Sequence, residues 1–249
     1  MAVFHVEFSS EKLGMRSRLN VLLPENAQPN LPILLLLHGL GDDENAWLEQ
    51  TKIADYARNQ QVAVIMPRAD RSYYTNTVSG MHYFDYISEE VVARCRQWFS
   101  LSAQPDDTYV GGLSMGGYGA LKCALLHPEI FAGAFSLSGV PDIVEQWREH
   151  PERTSWYNAL FGKKTELAGS TNDMVSVVQR WPADQKKPFL WQLCGTEDPF
   201  LRMNERFHTI AQQSGFENSL ELVAGAHEWR VWDAAIQEVL PLVARKTKQ

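Results

Sequence analysis

Nowhere in the 249-residue sequence do 18 apolar residues follow one another, and Met1-Ala2-Val3-Phe4-His5 carries no basic segment leading into an apolar run. Neither a membrane span nor a secretory leader is therefore expected. Cysteine is scarce: Cys95, Cys123 and Cys194 are odd in number, far apart and without a C-x-x-C pair. That spacing argues against a disulfide framework or a zinc site and fits reduced thiols in a cytoplasmic protein. Cys95 continues the apolar series Phe84, Ile87, Val91, Cys95, Trp98 and reads as a small buried hydrophobe. A basic cluster is also missing. Lys and Arg total 23 against 30 Asp and Glu, a formal charge of −7, with the cations scattered. The chain thus lacks the electrostatic footprint of a nucleic-acid or anionic-membrane binder. There is no internal repeat and no low-complexity segment, and only Arg245-Lys246-Thr247-Lys248-Gln249 reads as a frayed end.

What is present is enough apolar material, 45% of residues, for one α/β domain spanning residues 1–249. Residues 3–8 and 17–23 suggest a peripheral hairpin around Lys12-Leu13-Gly14. The unbroken run Ile33-Leu34-Leu35-Leu36-Leu37 predicts a central strand covered by helices on both faces. A helix is expected at about 46–57, a strand at 62–66, a helix at about 83–101 and strands at 109–113, 131–137, 189–194 and 219–223. Alternation of this kind predicts a mainly parallel sheet of about eight strands with right-handed crossovers. The exception is 141–181, too long for a simple connection and rich in aromatics (Trp147, Trp156, Tyr157, Phe161, Trp181). It reads as an insertion over the carboxyl edge of the sheet.

The chemistry centres on Gly111-Gly112-Leu113-Ser114-Met115-Gly116-Gly117. A short apolar strand enters a Gly-x-Ser-x-Gly turn and leaves as a helix with Tyr118, Leu121 and Leu125 on one face, the pattern of a nucleophile elbow. Glycine is needed two residues to either side of Ser114 because a Cβ there would crowd the strained turn that lifts the hydroxyl above the sheet edge. The alternative is that Ser114 merely caps the helix. An alcohol is a weak nucleophile at neutral pH, so a working Ser114 needs an imidazole to take its proton and an acid to orient that imidazole. Of seven histidines, His227 lies just past the last expected strand. The acid is expected after the preceding strand, in Gly195-Thr196-Glu197-Asp198-Pro199, where Asp198 is the candidate and Glu197 the runner-up. Either carboxylate could instead cap the following helix. The backbone N–H groups of Leu40, in His38-Gly39-Leu40-Gly41, and of Met115 occupy the positions of an oxyanion hole. His38 itself reads as a support for that loop.

The elbow together with Arg71-Ser72-Tyr73-Tyr74-Thr75-Asn76-Thr77 and with Gly225-Ala226-His227-Glu228-Trp229, followed by Trp232-Asp233, resembles the tributyrin esterase branch of the esterase D-like α/β-hydrolases. The similarity spans nearly the whole chain. It implies the α/β-hydrolase fold and a carboxylesterase acting on short acyl esters, with Ser114, Asp198 and His227 matching the triad and Leu40 and Met115 the oxyanion hole. Trp47, Tyr74, Trp147, Trp156 and Trp229 are the candidate substrate-binding side chains. The S-formylglutathione hydrolases resemble the chain less, because their oxyanion loop carries a cysteine where Leu40-Gly41-Asp42-Asp43 has none. Acyl transfer to an alcohol, a feruloyl or carbohydrate esterase activity, and a non-catalytic binding module are the alternatives. No cofactor and no metal are expected. The partner is a small-molecule ester, and a homo-oligomer is compatible with the sequence.

Overall fold

The structure is a computed structural model that describes residues 1–246; Thr247, Lys248 and Gln249, the end of the expected frayed tail, lie outside the described residues. One eight-stranded sheet runs in the order β1-β2-β4-β3-β5-β6-β7-β8. Its strands are β1 (Ala2–Ser10), β2 (Met15–Leu23), β3 (Ile33–Leu37), β4 (Ala63–Pro67), β5 (Thr108–Leu113), β6 (Gly133–Leu137), β7 (Phe189–Gly195) and β8 (Asn218–Val223). β1 and β2 pair antiparallel as the expected hairpin, with Gly14 in the left-handed region at the turn. β2 joins β4 antiparallel, and every pairing from β4 to β8 is parallel. The architecture is the α/β-hydrolase fold.

The apolar run of β3 is explained by burial on both faces. Ile33, Leu35 and Leu37 enter one core with Tyr118 and Leu121 of the helix Met115–Leu126, and with Trp147 and Tyr157 of the 141–181 segment. Leu34 and Leu36 enter a second core with Trp47, Ile53, Trp232, Ile236 and Val239. Strands buried on both sides lose the polar alternation of a half-exposed sheet. The 141–181 segment contains the short helices Ile143–Glu149, Thr154–Phe161, Lys164–Leu167 and Met174–Gln179. Asp142 and Asp173 cap the first and last of these by accepting from the Glu145 and Ser176 N–H groups.

Two expected helices differ in detail. The 46–57 stretch is split into Ala46–Gln50 and Ile53–Tyr56 because Thr51 is extended. Its hydroxyl donates to the Trp47 carbonyl and accepts from the Ile53 N–H, so a side chain takes over bonds the helix would otherwise use. The 83–101 helix ends at Phe99, where Ser100 turns left-handed, and it contains a π-type turn over Tyr86–Val91. Among the described residues no helix is long and apolar enough to cross a membrane.

Parallel strands leave all their carboxyl ends on one edge, and that edge gathers the candidate residues. Gly116 governs how closely the elbow helix approaches it. A Cβ on Gly116 would lie 2.5 Å from the Leu37 carbonyl oxygen and 2.7 Å from that of His38. These are backbone atoms that cannot rotate away. Gly111, by contrast, would place a Cβ at ordinary contact distance, 3.5 Å from Leu34, Leu36 and Phe135. Gly116→Ala is therefore expected to destabilise the protein by about 1–3 kcal/mol or more, the usual range for overpacking, whereas Gly111→Ala should be neutral or slightly stabilising. Thermal unfolding of both variants checks the contrast, and equal melting temperatures would contradict it.

Candidate active site

Ser114 follows β5 directly and takes φ 55° and ψ −117°, outside the regions that side-chain-bearing residues favour. Its N–H donates to the Leu137 carbonyl at 2.9 Å, and its own carbonyl accepts from the Tyr118 N–H at 3.2 Å. The flanking glycines make this possible: a Cβ on Gly112 would lie 2.5 Å from the Gly116 carbonyl oxygen. The turn folds on itself.

His227 is carried to Ser114 by the loop after β8, and Asp198 to His227 by the turn after β7. The two loops are stitched together, with the Thr196 N–H donating to Val223 and the Glu197 N–H to Gly225. A Cβ on Gly195 would lie 2.3 Å from the Gly225 carbonyl oxygen, so only glycine allows this approach. The His227 Nε2 is 3.0 Å from the Ser114 Oγ, and its Nδ1 is 2.9 Å from the Asp198 Oδ2. One imidazole thus faces the hydroxyl with one nitrogen and the carboxylate with the other. The tautomer that satisfies both carries its proton on Nδ1, leaving Nε2 to accept from serine.

The Asp198 side chain is wholly buried, while that of His227 is 26% exposed. Burial pushes the Asp198 carboxyl up, but hydrogen bonds from His227 and from the Phe200 N–H outweigh it and hold the group below its ordinary value. Glu197, the runner-up, is exposed. The His227 ring stands edge-on to Phe200 and Trp232, with centroids 5.0 and 4.8 Å away. Neither aromatic is among the site residues expected from the sequence, where Phe200 and Trp232 read as apolar-face residues of the two helices that follow Asp198 and His227.

Gly116 brings the β3 loop against the start of the elbow helix, so the Leu40 and Met115 backbones lie on neighbouring segments. Among the described residues neither N–H donates to another group, and Met115 occupies the first turn of a helix, where N–H groups have no intrahelical acceptor. The loop is held by His38, whose Nδ1 donates to the Gly39 carbonyl and whose Nε2 accepts from the Ala69 N–H. Burial pushes its pKa down. Both ring nitrogens are occupied, so His38 has no free nitrogen with which to serve Ser114. The Tyr74 hydroxyl donates to the His38 carbonyl at 2.8 Å.

The five candidate substrate-binding aromatics separate by burial. Trp47, Tyr74 and Trp147 are almost wholly enclosed: Trp47 donates to the Leu37 carbonyl, and Trp147 donates to the Thr154 hydroxyl. They offer no surface to a ligand and act through packing. Trp156 and Trp229 keep part of their surface. Trp229 lies against Trp47, and Trp156 against Tyr73 and under the Arg71 guanidinium. Trp181 packs on Phe216, just ahead of the amino end of β8 and thus at the edge opposite Ser114.

Residues 10–243 match the Esterase family, described as "Putative esterase". The chain belongs to this family. It is a carboxylic ester hydrolase. The esterase is 26% identical to the acetyl esterase of Caldicellulosiruptor saccharolyticus over 254 residues, 95% of this chain and 96% of the relative. Among solved structures it is similar to FphF, a fluorophosphonate-binding serine hydrolase of Staphylococcus aureus, with a TM-score of 0.88 and 31% identity over 98% of both chains. It is as similar to FrmB, an S-formylglutathione hydrolase of the same organism, with a TM-score of 0.88 and 32% identity over 98% of both chains. That likeness is stronger than the cysteine-free Leu40–Asp43 loop suggested. The relatives support the esterase D-like grouping as a whole, without singling out its tributyrin branch.

Because the Asp198 pKa lies below the ordinary carboxylate value of 3.8, its ionised form adds stability that is fully present above that value and is lost as pH falls through its folded-state pKa. Urea unfolding of wild type and Asp198→Asn is expected to show wild type the more stable at pH 6.5, with the gap closing below pH 3.8. A gap independent of pH would contradict this.

Proposed function

We propose that the esterase hydrolyses short-chain acyl esters through an acyl-enzyme on Ser114, with His227 as general base and acid and Asp198 as the group that orients it. The observation that carries the reading is the single imidazole within hydrogen-bond distance of both the hydroxyl and a buried carboxylate. As the Ser114 oxygen bonds to the ester carbonyl carbon, its proton passes to the His227 Nε2. The carbonyl oxygen becomes an oxyanion that the Leu40 and Met115 N–H groups would stabilise. Collapse breaks the bond to the leaving alkoxide, which takes the proton from His227 and departs as the alcohol. Water then gives a proton to His227 and attacks the acyl carbon, and on collapse the proton returns to Ser114 as the acid is released.

Short acyl groups are favoured in this reading for two reasons. One relative that matches over nearly its whole length is named an acetyl esterase, and the 141–181 aromatics close onto the elbow helix through Tyr73, which touches Tyr118, Trp156, Tyr157 and Phe161. The reading also places the enzyme in the cytoplasm, where the buried free thiols Cys95, Cys123 and Cys194 stay reduced; burial pushes all three up to about 12.

A fluorophosphonate probe should label Ser114 in wild type and nothing in Ser114→Ala, whose kcat should fall by about a millionfold. Acetyl to butyryl esters should exceed octanoyl esters in kcat/KM, and a chelator should leave the rate unchanged. Retention of more than a few per cent of activity by a pure Ser114→Ala preparation would overturn the serine assignment. A preference for octanoyl esters would overturn the short-acyl assignment.

A further inference from the structure

Lys122 lies on the elbow helix eight residues beyond Ser114, in the middle of the apolar run Ala120–Leu126, and is 2% exposed. A lysine in that position normally reaches solvent or a carboxylate. This one does neither. Its Nζ donates to the Thr75 Oγ1 at 2.9 Å and to the Asn172 Oδ1 at 2.6 Å, and it lies 4.7 Å from the centre of the Phe84 ring. The Thr75 hydroxyl in turn donates to the Asn172 Oδ1, and the Tyr118 hydroxyl donates to the Asn172 carbonyl. Two residues one helical turn apart, Tyr118 and Lys122, therefore grip Asn172 by its main chain and side chain. Asn172 belongs to the 141–181 insertion, Thr75 to the loop after β4.

Thr75 directly follows a strained pair. Tyr73 and Tyr74 both have φ 49°, a left-handed conformation that costs of order 1–3 kcal/mol per residue and persists only where surroundings over-determine it. Tyr74 supports the oxyanion loop through its bond to the His38 carbonyl, and Tyr73 is the ring on which the insertion aromatics converge. The end of this turn is fastened by Lys122.

We propose that Lys122 is a positioning residue of the ester site, holding Thr75 and Asn172 together and thereby fixing the Tyr73–Tyr74 turn, the His38–Leu40 loop and the insertion against the helix that carries Ser114. The inference rests on the reading of Ser114 as nucleophile. It follows from a buried amine with two neutral acceptors and no carboxylate bonded to it among the described residues. Burial pulls that amine down to about 7, against the opposing pull of the Cys123 thiol and the more distant Asp85. Asp85 is itself engaged by Asn76 and Lys12. A neutral amine still has two N–H groups for its two acceptors, so the clamp holds in either protonation state.

The test compares Lys122→Met, Thr75→Val and Asn172→Ala with wild type, each quantified by Ser114 labelling with a fluorophosphonate so that rates refer to folded, reactive sites. Asn172 is half-buried, so its truncation is the milder change and is expected to fold where Lys122→Met does not. The expected result is a fall in kcat of about 10- to 100-fold per labelled site, the scale of an ångström-sized misplacement, with a smaller change in KM. Adding Thr75→Val to Asn172→Ala should cost little more, because both break one cluster. A purely structural role would lower the melting temperature and the labelled fraction while leaving kcat per labelled site unchanged, and that outcome overturns the proposal. If wild type is not labelled at Ser114, the nucleophile reading fails and takes this inference with it. If wild type is labelled and the variants keep their kcat, only the role of Lys122 fails.

Discussion

The backbone of Ser114 is held in a conformation that a side-chain-bearing residue adopts only under constraint, and the rest of the site depends on that constraint being met. Two hydrogen bonds pin the turn, from the Ser114 N–H to Leu137 on the next strand and from the Tyr118 N–H back to the Ser114 carbonyl. Two glycines remove the atoms that would forbid it. Strain of this kind costs of order 1–3 kcal/mol and is stable only when packing around it is rigid. Here the rigidity comes from a doubly buried sheet whose inner strands carry large apolar side chains on both faces. The same close approach that permits the turn also lays the β3 loop beside the helix start, so one geometric fact places both the hydroxyl and the neighbouring N–H groups.

Polar groups are graded by burial across the site. The carboxylate is enclosed and its oxygens are claimed by the His227 ring and the Phe200 N–H. The imidazole sits at the boundary with solvent, walled by Phe200 and Trp232. The enclosed carboxylate meets the ring at Nδ1, and the aromatic walls limit the ring to the orientation that faces serine. Glu197 next door cannot take this part, because its side chain points to solvent while its N–H is used to join the two loops.

Aromatic residues supply the frame around this arrangement. Trp47 ties the end of β3 to the final helix through Trp229, and Tyr74 ties the loop after β3 to the turn after β4. In both cases the apolar body fills the core while a single N–H or O–H satisfies a backbone carbonyl at the carboxyl edge of the sheet. This explains why several aromatics near the site carry no accessible surface.

The sequence by itself determined the alternation of strands and helices, the elbow and the order of serine, acid and histidine, because each of these is written in local signals: apolar runs, glycine spacing and chain order. β3 was legible to the residue, and β4 and β6 to within one or two positions. The sequence ranked Asp198 ahead of Glu197, but only the tertiary structure decided which of the two faces His227, since the turn sets the directions of adjacent carboxylates. It likewise separated the aromatics that keep an open surface from those that are framework, and it turned Lys122 from a helical cation in an apolar run into the centre of a cluster joining residues 47 and 50 positions away. Pairings of that span depend on where parallel strands and their loops come to lie, and no local pattern encodes them.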